Sequence, residues 1–494
     1  MIAFVSNNGN VQNTVVPVHF LNMSAFLTSH GIENDIIEIK EPANVKRKSI
    51  DYYDELLIEK LKKRKYEYVG LSSYTTDYNC TISLIRKIKE ALPDVKVILG
   101  GVHVTLMPRD PFMSNAPVDI VVIGEGEFPL LDILKNEKPL EEIESVCFLK
   151  NDKVVVNKYM PLTPDMSHIP VPSYNKIDME FYLYPNNFGI RFMTVSSVHI
   201  FTGFGCPFNC TFCASASLYK AQGFHKIVRY KSMEQVFDEI NFLRSNYGLE
   251  ALYVQDDTFT LKKQRVYEFC DRLIKEKINM LWAAETRVNL IDEDLVKKMK
   301  EAGCCQLDFG VESATQEALD RMKKGVTIED THKAFAICGK YRMRTGANIM
   351  LNTPGETVDD INILKEFLKK LKASVYYLAL TVPFLGTEIY DQYVNPKLKL
   401  EEYKLFENPY LYGTIIDRRF KLAKHNLPLE SILMKLRMRF VMPKILFSVP
   451  LEMYYLKYFI RSKYKCAIIK TIIKNIISFL CNGLGFLSHL ILKR

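Results

Sequence analysis

The chain has 494 residues and a net charge of +9, with 48% hydrophobic and 25% charged residues. Those proportions exclude a disordered chain, and the length, at ~150 residues per domain, implies about three domains. The basic excess gathers at the C-terminus without Arg-Gly or aromatic-basic repeats, so no nucleic-acid partner is expected.

The opening Met-Ile-Ala-Phe-Val-Ser has neither the basic stretch nor the apolar run of a secretion signal. Eleven cysteines without such a signal point to a reducing cytoplasm, where thiols ligate metal or lie buried. Cys80, Cys147, Cys270, Cys304, Cys305 and Cys338 read as core thiols from their apolar or helical surroundings.

Residues 1–150 alternate strand and helix signals. Ile2–Val5 is a short apolar run, Val15–Leu27 is apolar at helical spacing, and Asp35–Ile39 alternates as a strand. Tyr52–Leu61 predicts a helix, Tyr68–Ser72 a buried strand, Tyr78–Leu92 a helix, and Val95–Leu99 a strand ending in Gly100-Gly101. Val118–Ile123 is the next strand, and Gly124-Glu-Gly-Glu127 opens a helix through Leu134. The βαβ alternation predicts a doubly wound, Rossmann/flavodoxin-like sheet with ligands at the carboxyl ends of its strands. The loops there are Ser72–Thr76, Gly100–His103 and Gly124–Glu127, whose glycines allow close approach to a large planar or phosphate-bearing ligand. Alone, such loops suit a ligand-free docking domain equally well.

Residues 151–197 are rich in proline and aromatics and read as a linker. Between 198 and 392 the alternation resumes, with strands expected at Val198–Thr202, Leu252–Phe259, Leu281–Arg287, Cys305–Glu312, Gly346–Met350 and Tyr376–Val382. The helices between them include Met233–Tyr247, Lys263–Glu276, Asp292–Ala302 and Ile328–Tyr341. Six βα units fit an incomplete (β/α)6 TIM-like barrel, with function at the strand C-termini.

The first barrel strand runs into Gly205-Cys-Pro-Phe-Asn-Cys-Thr-Phe-Cys-Ala214, which puts Cys206, Cys210 and Cys213 inside eight residues. Thiolates suit iron–sulfur clusters, zinc or copper(I). A closed zinc site takes four ligands, usually in separated pairs, and a cubane used only for electron transfer takes four cysteines. Three cysteines leave one iron open to chelate a substrate or cofactor.

Residues 393–494 read as a helical extension. From Tyr455 onward there is no Asp or Glu, while Lys457, Arg461, Lys463, Lys465, Lys470 and Lys474 alternate with apolar residues. Ile476–Leu492 is apolar but interrupted by Asn482 and Gly483, and falls short of the ~20 residues of a spanning helix. It suits an interfacial amphipathic helix drawn to anionic lipid, or a helical lid packed on the barrel.

The Cys-x-x-x-Cys-x-Phe-Cys pattern resembles the signature of radical S-adenosylmethionine (SAM) enzymes. The resemblance implies a [4Fe–4S] cluster on Cys206, Cys210 and Cys213 whose open iron binds SAM and whose electron cleaves it to a 5′-deoxyadenosyl radical. It places Phe212 beside the adenine, Asp256 and Asp257 at the methionine amino group, Arg287 at the SAM carboxylate or a substrate acid, and Glu312 or Ser313 at the ribose. The family's usual Gly-Gly-Glu is replaced by the Asp pair. Read structurally, the same acids would cap a helix and Arg287 would form a salt bridge.

The first third resembles the cobalamin-binding domain that precedes the radical SAM core in one large subfamily. The resemblance rests on Ser72, Ser73 and Thr75 after one strand, Gly100 and Gly101 after the next, and Gly124, Glu125, Gly126 and Glu127 after a third. The Asp-x-His-x-x-Gly motif that supplies a cobalt ligand elsewhere is absent, and His103 has different neighbours. The implied state is therefore cobalamin held base-off without a histidine ligand. The implied enzyme transfers methyl from methylcobalamin to an unactivated carbon of a small-molecule or lipid-like substrate. It draws electrons from a flavodoxin or ferredoxin and works in the cytoplasm or at the inner face of the membrane. Relatives instead cyclise, rearrange or oxidise without net methylation, and a non-catalytic cobalamin or cluster sensor is a further alternative.

Overall fold

The computed structural model describes residues 1–6, 11–42, 45–187, 189–224, 227–408, 411–441 and 453–474. Its first seven strands are β1 (Ile2–Val5), β2 (Asn34–Ile37), β3 (Tyr68–Ser72), β4 (Lys96–Gly100), β5 (Ile120–Val122), β6 (Val146–Lys150) and β7 (Lys153–Val156). They form one sheet in the order β2-β1-β3-β4-β5-β6-β7, in which β1 to β5 are parallel and β6 and β7 antiparallel. The apolar runs at β1, β3 and β5 are buried because helices cover both faces. Order 2-1-3-4-5 is the flavodoxin-like winding, which opens its ligand crevice at the β1/β3 switch point. The hairpin β6–β7 carries the sheet to Val156, past the expected end at residue 150, because Val146–Phe148 pair along β5.

The second sheet comprises β8 (Ser197–Ile200), β11 (Ala251–Val254), β12 (Leu281–Thr286), β13 (Cys304–Glu312), β14 (Arg344–Leu351) and β15 (Val375–Leu380). All six are parallel and sequentially ordered, and β8 does not pair with β15, so the barrel stays open. A small ribbon of β9 (Gly203–Phe204) and β10 (Arg229–Tyr230) flanks its first strand. Local sequence explains the sharp ends of the helix Met233–Tyr247. Ser232 and Gln235 form a capping box, and Gly248 closes the helix at φ 64. Outward residues Leu252, Val254, Trp282 and Ala284 pack against helices. Inward residues are polar: the Tyr253 hydroxyl donates to Asp308 Oδ2 (2.7 Å), and Arg191 of the linker pairs with Glu285 (2.5 Å).

The linker is pinned to the barrel as well as to the first sheet. The Tyr174 hydroxyl donates to Glu239 Oε1 at 2.7 Å, and Lys231 pairs with Glu239 Oε2 at 2.9 Å, both charged side chains being 2% exposed.

The C-terminal extension divides in two. Tyr403, Phe406, Leu411 and Phe420 join the apolar core of the first domain, and Glu407 accepts from Asn79 N at 2.7 Å. Helices Leu429–Leu436, Met453–Arg461 and 465–474 follow. Tyr455, Tyr458 and Ile468 are buried against Val195, Ala251 and Ala283, with the Tyr455 hydroxyl donating to Thr194 O (2.9 Å) and Tyr458 accepting from Ser196 N (3.0 Å). This part of the basic tail therefore packs on the barrel, while Leu456, Ile460, Ile469 and Ile473 face outward. The stretch Ile476–Leu492 lies outside the described residues. Among the described residues no helix is long and apolar enough to cross a membrane.

The buried Lys231–Glu239 pair yields a direct test. Glu239→Ala strands the Lys231 ammonium in the interior and should lower the unfolding free energy by ~3–5 kcal/mol. Chemical denaturation reads this, and a loss under about 1 kcal/mol would mean that Lys231 finds water.

Candidate active site

The cysteine loop leaves β8 at the C-terminal mouth of the barrel. Gly205 turns it at φ 95, and a side chain there would run into the Ile227 carbonyl. Cys213 N donates to Cys210 O at 3.1 Å, folding the loop into a tight turn, and Cys213 caps the helix Ala214–Ala221. Cys206 and Cys213 are half-buried and Cys210 is buried, and no disulfide joins them. Burial pushes the Cys206 and Cys213 thiols up, so a metal must displace their protons to bind. Among the described residues no three His, Cys, Asp or Glu side chains converge as ligands of one ion would. A cubane asks for no such convergence, since each thiolate takes its own iron. Three free thiols on one turn fit that cluster.

Around this loop the described side chains form a linked set. Arg287 Nη1 donates to Cys210 Sγ (3.7 Å), its other end donates to the Lys324 carbonyl, and its guanidinium lies 3.7 Å from the centre of the Phe208 ring. Lys324 Nζ pairs with Glu312 (2.8 Å) and lies 5.9 Å from the Phe212 ring centre. Glu312 sits at φ 65 beside a register shift in β13, in a backbone region that non-glycine residues occupy under constraint. Ser313 accepts from Thr315 N (3.3 Å). Cys206 Sγ lies 3.8 Å from Thr258 Oγ1.

The two predicted acids separate. Asp256 is buried with both oxygens engaged, by Thr202 N (2.7 Å), Gly203 N (3.0 Å) and Thr202 Oγ1 (2.6 Å), which anchors the start of the cysteine loop to β11. Burial raises its pKa to about 6. Asp257 faces open space, accepting only from Ser215 Oγ (2.7 Å) among the described residues.

That space is a cavity of about 840 Å³ between the two sheets, large enough for an extended cofactor. One wall is the first domain: Ser72, Gly100, Gly101 and Gly124–Glu127, with Phe4, Gly70 and Ile98 beneath. The opposite wall is the barrel: Phe204, Tyr253, Gln255 and Asp257. Gly101, at φ 101, is a true cradle position, since a Cβ would stand 2.6 Å from both Ser72 Oγ and Ser73 O. Ser73 and Thr75, predicted at the cofactor, do not line the cavity. Ser73 O accepts from His103 N (3.0 Å), and Thr75 Oγ1 bonds His103 Nδ1 (3.2 Å). His103 is itself buried against Tyr78, behind the cradle. Glu125 pairs with Arg229 of β10, and a Cβ on Gly124 would collide with Gln222, so the cradle touches the barrel directly.

Sequence reading missed Lys324, Phe208, Thr258 and His19. Lys323-Lys324 looks like a surface charge run, and His19 stands alone in the apolar stretch Val18–Leu21.

Comparisons with known proteins bear on the same regions. The Radical SAM superfamily profile matches residues 200–368 and the B12 binding domain profile residues 6–134. The chain is 31% identical over 343 residues to an uncharacterized methyltransferase of Pyrococcus horikoshii, covering 69% of this chain and 72% of that one. It is 24% identical to the anaerobic magnesium-protoporphyrin IX monomethyl ester cyclase of Cereibacter sphaeroides, over 80% of this chain and 63% of the cyclase. Its fold is similar to that of the radical SAM methyltransferase TsrM from Kitasatospora setae, solved with cobalamin and a [4Fe–4S] cluster, with a TM-score of 0.67, 17% identity, and coverage of 81% and 79%. The chain belongs to the cobalamin-dependent radical SAM methyltransferase family. It is an enzyme, and its cofactors are a [4Fe–4S] cluster, SAM and cobalamin.

Two measurements check this site. Cys206→Ala, Cys210→Ala and Cys213→Ala should each fail to hold a cluster after anaerobic reconstitution, whereas Cys270→Ala, a buried core thiol, should hold it; iron and sulfide analysis decides. Burial and the neighbouring Glu125 raise the Glu127 pKa from 4.5 to about 7. An acid with a raised folded pKa adds stability that is full below the unfolded value and lost as pH rises through the folded one. Unfolding midpoints of the cofactor-free protein should therefore fall between pH 4.5 and about 7, and Glu127→Gln should flatten that fall.

Proposed function

We propose that the enzyme transfers a methyl group to an unactivated carbon of a small-molecule or lipid-like substrate held between the two sheets. The observation that carries this reading is the single cavity bounded by the glycine cradle on one side and by Asp257, Gln255 and Phe204 of the barrel mouth on the other. When bound, the cofactors supply the radical and the transferable methyl group, and the protein supplies position and dryness. Residues 1–156 would hold cobalamin, 198–392 the cluster and SAM, and 393–494 the outer contacts.

In this reading Cys206, Cys210 and Cys213 bind the cluster, and Arg287 steadies the Cys210 thiolate through a charge-assisted hydrogen bond. Asp257, free at the cavity wall, receives the methionine ammonium, and Asp256 keeps the loop in place. Phe212 backs the adenine, and Glu312, held by Lys324, faces the ribose with Ser313. Ser72, Gly100, Gly101, Gly124, Glu125, Gly126 and Glu127 cradle the corrinoid. The parallel rings of Phe201 and Phe204 (5.8 Å apart) help to exclude water from the barrel side. Arg191 and His199, deep in the barrel end of the cavity, offer polar contacts for the substrate.

Electrons would come from a flavodoxin or ferredoxin. The outward Leu456, Ile460, Ile469 and Ile473, interleaved with Lys457, Arg461, Lys470 and Lys474, support cytoplasmic work at an anionic membrane face. A second reading, radical cyclisation or oxidation without net methylation, is favoured by the similarity to the magnesium-protoporphyrin ester cyclase.

Product analysis separates the two. Reconstituted enzyme given SAM and reductant should form S-adenosylhomocysteine and 5′-deoxyadenosine together, and omitting cobalamin should abolish only the former. Formation of 5′-deoxyadenosine alone, with cobalamin present, selects the second reading.

A further inference from the structure

Helix Val18–Ser29 stands on the cradle side of the cavity, and its first turns present Val18, His19, Asn22 and Met23 to that space. His19 is unusual among them. Its ring lies deep in the molecule yet is open, because what it opens onto is the cavity. Among the described residues it takes no hydrogen bond, and its one close ring neighbour is Phe20, 4.2 Å between centroids. Exposed to that space and hydrogen-bonded to nothing around it, the imidazole is free to bind what enters the cavity. The apolar surroundings push its pKa down to about 4, so at neutral pH the ring is uncharged and has a lone pair to give. One helical turn away, Asn22 Oδ1 is buried without a partner. Residues three apart on a helix are neighbours, and a ligating histidine needs an acceptor for its other N–H.

We propose that His19 is the axial ligand to cobalt on the face of the corrinoid turned toward the first domain, with Asn22 as its positioning partner. The macrocycle is planar and has two axial positions. A corrinoid resting on Gly100-Gly101 and Gly124–Glu127 would turn one face to this helix and the other to the barrel mouth, whose residues line the same cavity. A donor from the helix leaves the barrel-side position free for methyl exchange.

The other histidine at the cavity, His199, is a poorer candidate. It belongs to β8 on the opposite wall, and its Nε2 is already bonded to Gly189 O at 3.1 Å. His103, the histidine that family spacing draws attention to, bonds Thr75 through Nδ1, stacks on Tyr78 and does not line the cavity. The neutral donors Met23 and Tyr74 also reach the cavity and are the natural competitors. This inference needs only that cobalamin binds; it does not depend on the product of the reaction.

The test is spectroscopic and needs no turnover. Full-length protein grown with nitrogen-15 histidine is loaded with unlabelled cobalamin, its stoichiometry is checked by absorbance, and the cobalt is reduced to Co(II) for EPR. Each cobalt hyperfine line should be split into a doublet by one nitrogen-15 nucleus, and into a triplet in unlabelled protein. His19→Ala should lose the splitting and His199→Ala should keep it, both while retaining corrinoid. Asn22→Ala should keep the splitting but broaden it through a looser ring. A triplet that persists in labelled protein means that the cofactor's own benzimidazole is the ligand, and overturns the proposal. Unsplit lines, as from water, Met23 or Tyr74, overturn it too, as does a wild-type protein that retains no corrinoid. Should His19→Ala misfold, His19→Gln gives the same comparison, and the isotope experiment on wild type stands without either variant.

Discussion

An ion pair between Glu125 and Arg229 joins the two domains where their binding loops meet. Glu125 belongs to the glycine cradle, and Arg229 belongs to β10, whose partner β9 leads within two residues into the cysteine loop. The Arg229 side chain is 4% exposed, while Glu125, 36% exposed, meets it from the cavity wall. Loss of Glu125 would leave the buried Arg229 guanidinium without this carboxylate, which makes the contact a constraint on how the two loops meet. Gly124 reinforces it by letting the end of the helix Ala214–Ala221 come against the cradle without a Cβ between them. This contact ties the glycine cradle to the ribbon that leads into the cysteine loop.

A second constraint acts inside the barrel. Asp256 gathers Thr202 and Gly203, and so the strand end that launches the cysteine loop is held to its neighbour. Beyond the loop, Arg287 and Lys324 bring positive charge to the thiolates and to Glu312. In a low-dielectric setting such charges act strongly on a cluster whose own charge changes during the reaction. The barrel floor is closed by the tail helices through Tyr455 and Tyr458, so that side of the barrel is sealed while the mouth faces the cavity.

Much of this was legible in the residues. Strand β3 and the helix Met233–Tyr247 follow directly from apolar periodicity, capping residues and glycine. The three-cysteine loop carries its chemistry in its spacing, and the glycine loops lie at strand ends where a parallel sheet puts its ligands. Other features were not legible. The hairpin β6–β7 is short and half-exposed, so its pattern is weak until β5 offers an edge to pair with. Of two adjacent carboxylates, only the fold shows that Asp256 turns inward and Asp257 outward.

Local patterning thus determined the two α/β units, their order and the metal-binding chemistry, because periodicity and spacing are properties of neighbouring residues. Tertiary structure decided which side chains share the cavity, His19 and Asn22 rather than His103 and Asp257 rather than Asp256, and it brought Lys324, from a loop that reads as surface, to Glu312 beside the cysteine loop. That choice belongs to the packing of two domains against each other, and residues more than 180 positions apart in the chain, such as His19 and Tyr253, meet there only because both sheets turn their carboxyl ends to one space.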